Sequence, residues 1–200
     1  MTAPEVDRRA ASADAVAWHV PLSVDDLTLG EAYESLQRVG LRQGHIPFVV
    51  QLVENPRFDL PLVDVFPGTT DLRQHDYIHI VLGRGLHAMD EAFVLGFTMG
   101  STNRMSSVEQ RLYEFFARYL YPRAYRFGEQ EVEVYRDAVR LGYVSDCESL
   151  ANIDFPAMEA LTLHEVRQRI GLEVDLLLAY YAIEERRYPH SEASRRLCRR

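Results

Sequence analysis

Four side chains with metal-binding chemistry fall within one short span: His75, Asp76, His79 and Glu91. A neutral imidazole offers a nitrogen lone pair and a carboxylate offers oxygen, so the set is a mixed nitrogen and oxygen donor group. Two imidazoles with one or two carboxylates suit zinc or another first-row divalent ion and leave a position for water or a substrate oxygen. Such a centre supplies Lewis-acid polarisation. Asp76 or Glu91 would be the base if one carboxylate leaves the ion when substrate arrives, and the residues by themselves do not choose between them.

Spacing decides whether the four can meet. Thr69, Thr70 and Asp71 are cap-type residues, and the pattern after them predicts a helix over 72–82. On that helix His75 and His79 project within about 40° of each other, and Asp76 is turned from His75 by about 100°. Glu91 lies far enough past His79 that an unbroken helix would separate them by about 18 Å of rise, too far to share one ion. Gly83-Arg84-Gly85 breaks the pattern, and helical spacing resumes over 86–99 with Leu86, Phe93, Val94 and Phe97. The sequence therefore predicts an αα-hairpin that returns Glu91 to the level of His79, with both glycines as the fold-back. On spacing alone, a His-x-x-x-His pair reads at least as readily as two partly exposed polar positions with solvated acidic neighbours. His87, one turn before Glu91, is a candidate to orient a ligand. Arg84 at the hairpin tip is a candidate to meet a carboxylate or phosphate. For each, a water-exposed surface position is the plainer alternative.

The arrangement His75-Asp76-x-x-His79, then eleven residues, then Glu91 resembles the signature of the ubiquinone (coenzyme Q) biosynthesis proteins of the Coq-four type. The resemblance covers this motif and the helical pattern over 29–188. It implies an all-helical fold and a divalent metal, zinc, held by His75, Asp76, His79 and Glu91. It also implies a prenylated quinone precursor or isoprenoid lipid as ligand and other ubiquinone-biosynthesis proteins as partners. Two roles follow from it: oxidative decarboxylation at ring C1 of a prenylated hydroxybenzoate-type precursor, or a non-catalytic prenyl-lipid-binding scaffold that organises quinone-biosynthesis enzymes. The flanks depart from the family, with Arg73-Gln74 before the motif and Asp90-Glu91 at its end.

The elements around the motif read as helices. Thr28 with Glu31, Ser106 with Glu109 and Thr162 with Glu165 have the spacing of a capping box, in which side chain and backbone satisfy each other at a helix start. Matching stops follow at Gly40 or Gly44, at Pro122 and at Gly171. Residues 129–141 between Gly128 and Gly142, and 174–187 before Pro189, continue the helical spacing. Residues 46–53 are the best strand candidate and lack clean alternation; 54–70, with three prolines, read as an irregular connection. The expected architecture is all-α, a single compact helical domain of roughly seven or eight helices. Its core covers about 25–189, with 1–20 and 190–200 peripheral and the basic tail from His190 frayed. Gly96 and Gly100, with Ala92, set small residues every four positions for close helix packing. Met89, Met99 and Met105 read as core fillers or as the lining of a prenyl tunnel. Tyr77 and Tyr113 are candidate wall residues.

The 200 residues carry a net charge of −8, which leaves no cationic excess for a phosphate backbone and argues against nucleic acid. Two cysteines are too few for a disulfide framework and fit a reducing cytoplasm. No stretch reaches the ~20 apolar residues of a membrane span, and no apolar leader segment follows the first residues. The segment 112–127 interleaves aromatic residues with arginine. It reads first as a buried helix face, and it also admits a homodimer or a peripheral contact at the inner face of a membrane.

Overall fold

The computed structural model describes residues 17–40, 72–102 and 127–198. The expectations for 46–53, 54–70, the Ser106 capping box, Met105, Tyr113 and all but the last residue of the aromatic segment lie outside them. The described residues form seven α-helices: α1 (Leu29–Gly40), α2 (Leu72–Val81), α3 (Ala88–Ser101), α4 (Glu129–Val144), α5 (Leu163–Arg169), α6 (Val174–Arg187) and α7 (Glu192–Arg196). Two short 3-10 turns precede α5. Among the described residues there is no strand, and the fold is all-α. No described helix is long and apolar enough to cross a membrane.

Two of the capping boxes form as their spacing predicts. The Glu31 N–H donates to Thr28 Oγ1 at 3.2 Å while the Thr28 N–H donates to Glu31 Oε2 at 3.0 Å. Thr162 and Glu165 repeat the exchange at 3.3 Å and 2.8 Å. The two helix starts also pair with each other. Leu29 N–H donates to the Leu161 carbonyl at 2.9 Å and Leu163 N–H to the Leu27 carbonyl at 2.8 Å, an antiparallel bridge centred on Thr28 and Thr162. Backbone donors that helix starts leave open are thus satisfied locally and across the fold.

Helices α3 and α4 pack closely enough that a Cβ on Gly96 would stand 2.5 Å from the Tyr135 carbonyl and 2.9 Å from Ala138 Cβ. Gly142, which reads from sequence as the stop of this helix, lies inside α4 instead. It faces the Phe97 carbonyl, so it makes room for α3 rather than ending α4. Phe93 in α3 stacks on Phe97 and Tyr180 and meets Tyr181 edge-on, with ring centroids 5.9, 5.5 and 5.3 Å apart. These rings join α3 to α6 and supply much of the apolar burial there. Met89 and Met99 are buried. The Met99 sulfur accepts the Tyr135 hydroxyl at 3.1 Å, and Ser194 Oγ lies 3.0 Å from the Met89 sulfur.

The basic tail, as far as Cys198, is docked rather than frayed. Ser191 caps α7 by accepting the Ser194 N–H at 3.3 Å, and Ala193 and Leu197, one turn apart, are both buried in the core. The tail reads as polar because its charged residues outnumber that apolar pair. The pair is enough to dock a short helix once α3 and α6 supply a surface.

Candidate metal centre

The hairpin forms. Helix α2 ends at Val81, Gly83 takes φ +64°, and α3 begins at Ala88 after His87 in extended conformation. The Gly83 N–H donates to the Ile80 carbonyl at 3.1 Å and the Arg84 N–H to the His79 carbonyl at 2.9 Å. This is the double bond pattern of a helix stop with a left-handed glycine. Gly85 has a different job from the one its spacing suggests. Its φ is ordinary, and a Cβ there would run into the Arg196 guanidinium and stand 2.6 Å from the Trp18 carbonyl.

The end of α2 is held by donors from distant elements. Arg167 Nε donates to the Val81 carbonyl at 3.1 Å, Tyr181 OH to Leu82 at 2.6 Å and His19 Nε2 to Gly83 at 2.8 Å. With Arg84 and Gly83 N–H, every carbonyl from His79 to Gly83 has a named donor. A buried helix end needs this, because each unpaired carbonyl would cost about 1–3 kcal/mol.

On this fixed end His75, His79 and Glu91 converge. Their ligand atoms all lie within 4.8 Å of one another. His75 Nε2 is 2.9 Å from Glu91 Oε2 and 2.9 Å from His79 Nε2, and His79 Nε2 is 3.4 Å from Glu91 Oε1. Ligands about 2.0–2.1 Å from a tetrahedral ion stand about 3.3 Å apart, so the three atoms already have nearly the separation an ion requires. The rings meet edge to face with centroids 4.5 Å apart. His79 Nδ1 is buried without a hydrogen-bond partner, so it is the Nε2 side, toward His75 and Glu91, that gives this ring its polar contacts. Each Nε2 carries at most one proton, so the three short contacts cannot all be hydrogen bonds at once, whereas one cation accepts a lone pair from each of the three groups. The donor set fits a divalent ion.

Electrostatics agree with a carboxylate kept ionised for such a role. Burial would raise the Glu91 pKa, but the His79 and His75 imidazoles beside it hold it well below the usual carboxylate range. Burial lowers the His75 pKa more than Glu91 raises it. Burial acts against the charged form of His79 as well, but Glu91, with Asp76 and Asp90 nearby, outweighs it and the pKa is raised.

Asp76 is not in this cluster. It is buried, and its Oδ2 accepts from Gln37 Nε2 of α1 at 3.1 Å. The turn of one residue that separates it from His75 on the helix points it toward α1 rather than α3. Tyr77, read as a wall residue, is engaged elsewhere, donating to Glu159 and accepting from Arg73 Nε at 3.0 Å.

Arg84 does not extend into water. Its side chain is fully buried, Nη1 and Nη2 donate to Glu184 Oε1 and Oε2 at 3.0 and 2.6 Å, and Asp90 Oδ1 lies 3.7 Å away. The guanidinium sits 3.8 Å from the Phe93 ring centroid and 4.2 Å from that of Tyr181. Asp90 accepts from the His87 N–H at 3.0 Å and from Arg196 of α7. The His87 side chain lines a surface pocket of about 440 Å³ with Glu131, Arg187, Tyr188 and His190, a pocket that contains none of the three clustered ligands.

Gln37, Glu184 and Arg196 carry no signal in the motif. Glu184 does have one in its helix: it falls seven residues after Leu177 and three after Tyr181, on the buried stripe of α6. A carboxylate at such a position implies a buried cation. No family model, curated protein or solved structure matches the chain.

Proposed function

We propose that the chain is a divalent-metal protein of quinone biosynthesis. It would act by oxidative decarboxylation at ring C1 of a prenylated hydroxybenzoate-type precursor, with zinc or another first-row ion held by His75, His79 and Glu91. The observation that carries the metal is the convergence of those three ligand atoms on a hairpin whose end is fixed by distant donors. The substrate class rests on the resemblance of the motif. When bound, the ion supplies Lewis-acid polarisation of a substrate phenolate or carboxylate oxygen. Held by three protein ligands, such an ion would keep a place for a substrate oxygen, the feature that separates catalytic from closed structural centres. Glu91, kept ionised by the two imidazoles, would offset part of such an ion's charge. Asp76, oriented by Gln37 one residue from a ligand, is the carboxylate left to act as base.

The overall change breaks the bond from C1 to its carboxyl group, which leaves as carbon dioxide. It forms a C1–O bond with one atom of dioxygen. The second oxygen leaves as water, with two electrons from an external reductant and two protons. The test is metal content of protein purified without an affinity metal column, beside His79→Ala and Glu91→Ala, followed by turnover of a prenylated hydroxybenzoate under air with a soluble two-electron reductant such as ascorbate supplied. Near-stoichiometric metal lost in both variants supports the centre, and carbon dioxide release that requires it supports the substrate. No metal in the native chain after adding divalent ions would remove the reading. Metal binding without turnover would move it to the prenyl-lipid scaffold.

A further inference from the structure

Arg84 touches both halves of the candidate centre. Its backbone N–H holds the carbonyl of His79, and its side chain lies beside Asp90, the neighbour of Glu91. Left alone, a buried guanidinium between two rings would be costly, since the interior does not solvate it. Glu184 of α6 supplies the bidentate partner, and Ser194 of α7 donates to the same Glu184 Oε1 at 3.0 Å. Arg196 of α7 then occupies the space left by Gly85 and donates to Asp90. Asp90 in turn accepts the His87 N–H and so fixes the first turn of α3, where Glu91 sits.

We infer that the C-terminal segment is a positioning element of the metal centre: Arg196, acting through Asp90, and Glu184, acting through Arg84, set the separation of Glu91 from His79. The inference rests on the metal reading above. Buried ion pairs add little net stability compared with apolar packing, and their geometric demand is what they contribute here. Two guanidinium pairings tie the hairpin to the C-terminal helices, Arg84 of its loop bidentate on Glu184 of α6 and Arg196 of α7 on Asp90 of α3. Between them they leave α3 little freedom to rotate about its axis, and a rotation of α3 is what would carry Glu91 away from the imidazoles. Arg196 reaches the ligands through Asp90 and Glu184 through Arg84, so their influence is on position.

Cobalt(II) titration of the whole chain tests this, read both as affinity by chelator competition and as the visible d–d bands that report coordination geometry. Arg196→Gln should weaken cobalt binding by about tenfold or more, in the range seen when groups supporting a metal ligand are removed, and should alter the bands. Arg196→Lys should recover part of both. Arg187→Gln, which removes the exposed pair with Asp137 and leaves Asp90 and Glu184 their partners, should leave both unchanged. Native affinity and native bands in Arg196→Gln would overturn the inference while leaving the metal reading intact. If Arg196→Gln does not fold, Glu184→Gln, which keeps the side chain's size and removes its charge on Arg84, takes its place, and native affinity and native bands in it would overturn the inference equally. A native chain that binds no cobalt would remove the metal reading itself, and the inference with it.

Discussion

Arg84 and Glu184, 100 residues apart, meet side by side, with Nη1 on Oε1 at 3.0 Å and Nη2 on Oε2 at 2.6 Å, both side chains fully buried. Burial would drive the guanidinium toward neutrality, but Glu184 outweighs it and the Arg84 pKa is raised. The guanidinium therefore stays charged inside the core, and each partner depends on the other.

Removing one member should cost more than removing both. Glu184→Leu alone leaves a cation between Phe93 and Tyr181 and should destabilise by about 3–5 kcal/mol. Arg84→Met with Glu184→Leu should lose clearly less than the sum of the single changes. Chemical denaturation of the two single variants and the double variant checks this, and additive losses would contradict it.

The carboxylates Asp76 and Glu91 should separate in metal binding. Glu91→Gln and His79→Ala should abolish or strongly weaken binding, because each removes a clustered ligand atom. Asp76→Asn should retain binding within about tenfold, the lower end for a group outside the ligand set. Calorimetric titration with zinc compares the three, and equal losses would place Asp76 on the ion.

His19 should make the fold sensitive to mild acid. Burial lowers its pKa below the ordinary 6.5, more than the hydrogen bond to Gly83 raises it, and Arg196 adds to the lowering. The unfolded chain therefore binds a proton more readily than the folded one. The stability contribution is full above 6.5 and falls as pH drops through the lower folded value. The stability advantage of the native chain over His19→Gln should shrink between neutral and mildly acidic pH. Urea unfolding at a series of pH values measures the difference, and other histidines cancel because both proteins share them.

Gly83→Ala should destabilise although it adds one methyl group. The residue sits at φ +64°, which costs an L-residue about 1–2 kcal/mol. The new Cβ would also stand 2.8 Å from Leu22 Cγ and 2.9 Å from the Leu22 nitrogen. Thermal unfolding should show a loss larger than that of Gly30→Ala, whose φ is ordinary and whose nearest contact is 3.1 Å.

What the sequence by itself determined was whatever acts within one or two helical turns. The Thr28 and Thr162 capping boxes, the single face shared by His75 and His79, and the stop at Gly83 all follow from bonds between residues a few positions apart, and the structure contains them. Tertiary structure decided which carboxylate meets the imidazoles. That depends on how α3 is rotated against α2, and the rotation is held by Glu184 and Arg196, 100 and 106 positions from Arg84 and Asp90. It decided that Asp76 turns to Gln37, 39 positions away. It also buried Arg84 and docked the basic tail, where residue type alone points to water. A side chain's charge states what partner it needs, and only packing brings that partner within reach.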